Sequence, residues 1–294
     1  EYDRSFLELA PHIAVVTNLE AEHLDCYDGE DDLMAAFTTF ANRSSVFGAA
    51  VLCADDHGAW SLRHRLRRRV LGYGTSPEAE VRMEIVGADV EGTSFDVMRH
   101  GRSLGRVQLA LPGAFNALNA LAAITVGLEL DVAFEVLAAA CSEFAGVARR
   151  FEVRGERDGV TVIDDYAHHP TELRAVFEAT RQAMPGRRIV AAFQPHLFSR
   201  TRDFAAELAS ALMGAEVAVV LPIYPAREQP IPGVDAALVV SEAHRLGHPC
   251  VIEGLPPGEA RTQLDEILRE GDVLLTIGAG DVDSLGEAWL EGSS

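Results

Sequence analysis

Val162-Ile163-Asp164-Asp165-Tyr166-Ala167-His168-His169-Pro170-Thr171-Glu172 decides how this chain folds. Val160 to Ile163 is an apolar run of strand length. Pro170 suits the first turn of a helix whose apolar spacing continues through Leu173, Val176 and Phe177. A buried strand that runs directly into a helix is half of a crossover unit, so the stretch implies a parallel α/β sheet. Between strand and helix lie two carboxylates, a phenol and two imidazoles. Polar side chains at the carboxyl end of a strand lie where open α/β sheets bind ligands. The plain alternative is a helix cap from Asp164 or Asp165 flanked by surface histidines, but a cap needs one such residue and not five.

The alternation extends in both directions. Downstream, Ile189–Phe193, Val217–Leu221 and Val273–Ile277 read as further strands separated by helices, one of them running to about Met213. The second half is therefore a doubly wound, Rossmann-like sheet. Upstream, Ile13–Thr17 and Ala49–Cys53 read as strands, with Leu33, Ala36, Phe37 and Phe40 at helical spacing between them. From about Arg82 to Ala110 the pattern changes to short alternating runs. Phe95–Met98 and Leu104–Leu109, parted by His100-Gly101-Arg102, read as an antiparallel hairpin. Pro112 and Gly113 open an Ala-rich helix through Leu128, and another covers about Val132 to Ala140. The linker Gly146-Val147-Ala148-Arg149-Arg150 divides the chain into residues 1–147 and 148–294. Two domains suit a length of 294 residues.

Hydrophobic residues make up 48% of the chain, which places it among globular proteins. A formal charge of −20 excludes a nucleic-acid partner, whose phosphates would be repelled. It does not exclude a phosphorylated substrate, because a local cationic site or bound metal reverses the field. Cys26, Cys53, Cys141 and Cys250 are scattered and sit in or beside apolar runs, which predicts buried thiols in a reducing compartment. No apolar stretch is long enough to cross a bilayer and no signal peptide is present, so the expectation is a cytoplasmic protein with no membrane partner.

Several groups could carry chemistry. The loop Asn18 to Asp25 holds Glu20, Glu22, His23 and Asp25, a set that suits a hard divalent cation or else forms a solvated acidic loop. Asn116 and Asn119 share a helix face, where amides either read an adenine edge or cap the helix. Arg149 and Arg150 lie in the linker, where an arginine can reach a nucleotide held between two domains or form ordinary salt bridges. His196, Arg200 and Arg202 follow one strand and Arg227 the next, so successive strand ends present cations. That favours anion binding, and a guanidinium suits a carboxylate. Gly278-Ala279-Gly280 has Asp283 where a dinucleotide fingerprint needs its third glycine. It reads as a tight strand-to-helix turn, and a nicotinamide-dependent dehydrogenase has no other support.

Together these pieces resemble the Mur ligase family along essentially the whole chain. The resemblance rests on Glu1 to Leu7, Thr17 to Asp25, Asn116 to Ala120, Arg149-Arg150-Phe151, Asp164 to Glu172, Gln194 to Thr201, Tyr224 to Glu228 and Gly278 to Asp281. It implies a central ATPase-type domain in residues 1–147 and an amino-acid-binding Rossmann-like domain in 148–294. In the first, a mostly parallel sheet would be accompanied by a small antiparallel one. It further implies ATP and Mg2+ as cofactors, and amide formation through an acyl phosphate. Carried over by motif position, Glu1 and His23 would hold magnesium, and Asn116, Asn119, Arg150 and Asp165 the nucleotide. Tyr166, His169, Arg200 and Arg227 would face the substrate, with His168, His196 and Arg200 at the chemistry. Gln194 to Thr201 with Tyr224 to Glu228 look like the alanine-adding branch, whose substrates are UDP-N-acetylmuramate and L-alanine, acting as a monomer or weak homodimer. The murein tripeptide branch shares the Asp-Asp-x-Ala-His-His-Pro segment, and a non-catalytic nucleotide-binding module is a third reading. Two positions depart from the pattern: Glu22 stands for the usual Asp, and Phe115 where His often precedes Asn116. The family's GxxxxGK[ST] phosphate loop does not occur, so the chain is expected to be an inactive portion of a ligase.

Overall fold

The computed structural model describes residues 3–20 and 27–292. They divide into two compact units, Glu1–Phe144 and Ala145–Ser294.

The first unit contains β1 (Ile13–Val16), α1 (Glu30–Asn42), β2 (Ala49–Cys53), α2 (His57–Ser61), β3 (Val70–Gly74), β4 (Val81–Asp89), β5 (Gly92–Arg99), β6 (Arg102–Leu109), α3 (Ala114–Glu129) and α4 (Phe134–Glu143). Its six strands form one sheet in chain order. β1 to β4 run parallel, and β4 to β6 antiparallel. The antiparallel strands are joined to the parallel ones through two pairs, Tyr73 with Val81 and Gly74 with Arg82, so the sheet is continuous and mixed. The expected hairpin turns at His100 and Gly101, both left-handed at φ 50° and 75°. Positive φ at both central residues is what a two-residue turn needs to match strand twist. β2 is buried along its length, and α3 contributes Ala117, Leu121 and Ile124 to a core shared with Leu52, Tyr73 and Phe95.

The second unit contains β7 (Glu152–Arg157), β8 (Val160–Asp165), α5 (Pro170–Ala183), β9 (Ile189–Phe193), α6 (Phe198–Asp203), α7 (Ala205–Leu212), β10 (Val217–Val220), α8 (Ala236–Arg245), β11 (Val251–Glu253), α9 (Pro257–Ile267), β12 (Val273–Ile277) and α10 (Asp283–Glu291). The sheet order is β11-β10-β9-β12-β8-β7, with only β7 antiparallel to its neighbour. β12, last in sequence, lies between β8 and β9. Helices on both faces explain why β8, β9, β10 and β12 are buried at every position, as parallel strands with continuous apolar runs must be.

Three details differ from expectation. β8 continues through Asp164 and Asp165, because both carboxylates find partners inside the fold. The helix expected to reach Met213 is broken at Phe204, whose ψ of 18° is not helical and whose ring packs edge-on against His169. Cys250 is exposed, not buried, because it lies in the turn before the edge strand β11. Cys26 lies outside the described residues. Among the described residues no helix is long and apolar enough to cross a membrane.

Candidate functional site at the strand tips of the second unit

β8, β9, β10 and β12 end side by side, and their loops bring four rings into a row. Tyr166 meets His168 edge-on with ring centroids 5.4 Å apart, and His168 meets His196 in the same way at 5.4 Å. His196 in turn stacks on Tyr224, at 6.1 Å and an interplanar angle of 18°. The last contact follows from backbone pairing. The loops after β9 and β10 form an isolated parallel bridge, with the Tyr224 N–H donating to Pro195 at 2.8 Å and the Leu197 N–H to Tyr224 at 3.0 Å. Arg200, four residues beyond His196, sits on α6 and is buried. Glu228 from the β10 loop fixes that short helix, accepting the Ser199 N–H at 2.9 Å and the Ser199 hydroxyl at 2.5 Å.

His168 Nδ1 lies 2.9 Å from the Tyr166 carbonyl. A carbonyl only accepts, so Nδ1 is the protonated nitrogen of that contact. Glu172 accepts the N–H groups of His168 and His169 at 2.9 and 3.1 Å. Burial works to raise its pKa, but His168, those two N–H groups and Arg150 outweigh it and hold the carboxyl below its ordinary value.

Behind the rings lies an internal frame. Arg149, in a left-handed conformation, donates to Asp164 at 3.0 Å and to the carbonyls of Gly280 and Gly278 at 2.9 and 2.6 Å. It also lies 5.2 Å over the Tyr166 ring. One guanidinium thus fastens the ends of β8 and β12 together. Burial pushes the Asp164 carboxyl up, opposed by Thr276 and Arg149. Gln194 ties β9 to the same loop, donating to Asp281 at 2.8 Å and accepting the Val282 N–H at 3.2 Å. The loop needs its glycines: a Cβ on Gly280 would lie 2.3 Å from Gln194 Oε1 and 2.6 Å from the Tyr224 ring. Gly278-Ala279-Gly280 is therefore the tight turn its spacing suggests.

The predicted residues fall into distinct groups. Tyr166, His168 and His196 come together, and Arg200 follows on the adjoining helix. Arg150 is half-exposed beside them, 5.5 Å over the Tyr166 ring. Arg227 is exposed in the β10 loop. His169 is buried as the N-cap of α5, its Nδ1 accepting the Thr171 N–H at 3.4 Å. Asp165 also points into the fold and accepts the N–H groups of Phe151 and Ala167, each at 2.8 Å. Burial pushes its pKa up to about 6. Arg149 directs a donor from each of its three guanidinium nitrogens within its own unit.

In the first unit Asn116 is buried and donates to the Pro112 carbonyl at 2.8 Å, while Asn119 is exposed, so the two amides do not share an environment. Glu1 and His23, the expected metal ligands, lie outside the described residues. Among the described residues no group of three or more His, Cys, Asp and Glu is arranged to hold a metal ion. Sequence reasoning marked the segments that hold Gln194, Tyr224 and Glu228 but gave those three residues no role in the site, and it did not find the clamping role of Arg149. For Tyr224 a signal existed, since it follows a strand adjacent to the one that carries His196.

An open α/β sheet with imidazoles, phenols and a buried arginine gathered at its strand tips is a unit of the class that takes ligands at the carboxyl ends of its strands. The Mur ligase middle domain matches residues 3–127, and the Mur ligase glutamate ligase domain residues 149–280. The chain belongs to the Mur ligase family. It is 44% identical over 291 residues to the UDP-N-acetylmuramate–L-alanine ligase of Salinibacter ruber, covering 99% of this chain and 61% of that protein. The corresponding ligase of Desulfatibacillum aliphaticivorans is 42% identical, covering 100% of this chain and 64% of that protein. The crystal structure of the UDP-N-acetylmuramate–alanine ligase from Thermotoga maritima superposes with a TM-score of 0.77 at 25% identity, over 99% of this chain and 61% of that one. The chain thus spans a little over three fifths of the length of these relatives.

Proposed function

We propose that this chain provides the ATP-handling and amino-acid-handling units of a ligase that joins L-alanine to the carboxylate of UDP-N-acetylmuramate through an acyl phosphate. Identity to alanine ligases along nearly the whole chain supports the reading. The observation that carries it is the row Tyr166–His168–His196 with Arg200 on the following helix, a site for a small zwitterion beside a reactive anhydride.

Each group has a role that its surroundings suit. Arg200 binds the alanine carboxylate, since a guanidinium offers two parallel donors to two oxygens. His168, whose ring is oriented by the Nδ1 contact to the Tyr166 carbonyl, takes a proton from the alanine ammonium so that the free amine can attack the acyl carbon and expel phosphate. His196, stacked on Tyr224, donates toward the developing charge on the acyl phosphate. Arg150 meets the nucleotide's phosphates, and Asp165 positions the linker that carries Arg150. Bound magnesium offsets charge on the phosphoryl group. Its proposed ligands Glu1 and His23 lie outside the described residues.

Isothermal titration of L-alanine into the chain tests this reading. Alanine should bind, and Arg200→Met should weaken binding about ten- to a hundredfold, the value of a charged hydrogen-bonded pair. Failure of alanine to bind, or indifference to Arg200→Met, removes the assignment. Preference for a murein tripeptide over alanine moves it to the tripeptide branch.

A further inference from the structure

The amino ends of β2 and β3 carry a feature that ligase chemistry does not use. Arg63-His64-Arg65-Leu66-Arg67-Arg68-Arg69 concentrates five arginines and a histidine in a chain of net charge −20. Some are spent inside the fold: Arg63 lies 4.7 Å over the Trp60 ring, and Arg69 pairs with Glu129. Others tie this loop to the one between α1 and β2. Arg68 donates to the Ser44 carbonyl at 2.8 Å, and Asn42 accepts the Arg67 N–H at 2.8 Å while reaching the Arg65 carbonyl at 3.4 Å. The joined loops leave Arg43, His64, Arg65 and Arg67 exposed.

At the tip of the neighbouring loop Val46 is 71% and Phe47 88% exposed. The tip is held rigid rather than frayed, with the Phe47 N–H donating to Ser45 Oγ at 3.2 Å and the Ser45 N–H to Pro11 at 3.0 Å. Leu9, two residues before Pro11, adds a third exposed apolar side chain, with Glu8 as its acidic neighbour. Protruding apolar residues and arginines therefore share one edge. That edge lies opposite the carboxyl ends of β1 and β2, where Leu19 and Asp56 meet, so occupying it leaves those strand ends uncovered.

We propose that this edge docks the chain on an anionic lipid surface. Arg43, Arg65 and Arg67 meet headgroup phosphates, while Phe47, Val46 and Leu9 enter the boundary between headgroups and acyl chains. Charge complementarity selects anionic over neutral lipid. A protruding tip suits a deformable surface, whereas a folded acidic partner would have to offer a pocket shaped to receive Phe47. The negative charge elsewhere on the chain confines contact to this edge and makes it sensitive to salt. The expectation of no membrane partner rested on the lack of a crossing segment, which peripheral attachment does not need.

Flotation of the chain with vesicles of phosphatidylcholine, with and without phosphatidylglycerol, tests the proposal. Binding should require phosphatidylglycerol, fall with added salt, and weaken about tenfold in Phe47→Ser and again in Arg65→Glu/Arg67→Glu. These side chains are exposed, so the thermal midpoints of the variants should match that of the parent. No binding to phosphatidylglycerol vesicles, or binding that both variants retain, overturns the proposal. Retention on immobilised polyglutamate without vesicle binding overturns it in favour of an acidic protein partner.

Discussion

Both units place carboxylates at the carboxyl ends of parallel strands, yet they use them in opposite ways. In the first unit Asp55 accepts the N–H of Thr75 at 2.7 Å, the Thr75 hydroxyl at 3.0 Å and the Ser76 N–H at 2.8 Å. Asp56 accepts the N–H groups of Leu19 and Ala59 at 3.1 and 2.7 Å. Those carboxylates tie the loops after β1, β2 and β3 together through backbone N–H groups and a hydroxyl. In the second unit Asp164 and Asp165 are 0% and 2% exposed, and Arg149 crosses from Asp164 to the β12 loop. Buried charge of this kind stabilises only while its partner is present. The first arrangement joins strand tips through neutral donors; the second joins them through one guanidinium that also neutralises a buried carboxylate.

Arg149→Met breaks that contrast most severely. It leaves Asp164 buried beside two carbonyls that have lost their donor, at a cost of about 3–5 kcal/mol. Urea unfolding checks it, with Arg150→Met as control. Arg150 is half-exposed and 3.9 Å from Glu172, so its loss should change stability by less than about 1 kcal/mol. Equal effects of the two variants would show that Arg149 is no clamp. Gly280→Ala comes next. Its Cβ would press on the Tyr224 ring and on a Gln194 side chain already held at both ends, costing about 1–3 kcal/mol. Because the loss passes through Tyr224, it should also shift the imidazole proton resonances of His196. An unchanged His196 spectrum would mean that the loop yields without moving the rings.

The fold was legible where one period dominates. Ile189–Phe193 and Val273–Ile277 have the bounds their apolar runs suggest, because parallel strands buried on both faces leave no ambiguity of phase. The site was legible as a neighbourhood, since Tyr166, His168 and His196 stand at strand ends that the α/β pattern brings together. What sequence could not give was direction. His168 and His169 are adjacent and chemically identical, yet one ring joins the row while the other caps α5 against Phe204. Nor could it separate Arg149 from Arg150, whose fates depend on carbonyls more than 120 residues away in sequence. Long-range hydrogen bonds to backbone atoms carry no residue-type signature.

Asp165 sharpens the comparison through pH. Burial raises its folded pKa to about 6 from an ordinary 3.8, so between those values the folded state binds the proton more tightly than the unfolded chain. Its contribution to stability is therefore greatest at acidic pH and is lost as pH rises through about 6, a swing of about 3 kcal/mol at 1.4 kcal/mol per unit. Asp165→Asn cannot titrate. The stability advantage of the parent over this variant should narrow as pH rises from about 4 to 7. An advantage that widens over that range would mean that the two backbone N–H groups outweigh burial and that the shift has the opposite sign.

Asp55→Ala is the smallest change and bears on the first unit's half of the contrast. Its carboxylate holds two N–H groups and a hydroxyl, but all three lie at an exposed turn where water can replace it. The net value of such bonds is about 0.5–1.5 kcal/mol in total rather than each, because the donors are not stranded in the interior. Gly74 complicates the accounting: it adopts φ 148°, and a Cβ there would lie 2.6 Å from Asp55 Oδ1. Removing the carboxylate relieves that crowding, but a side chain at Gly74 stays strained by its backbone angle. Gly74→Ala should accordingly remain destabilising in the Asp55→Ala background, by less than in the parent. Comparing the single and double variants by urea unfolding separates the two contributions. If the double variant lost no more than Asp55→Ala alone, the glycine would be there for the carboxylate and not for the turn.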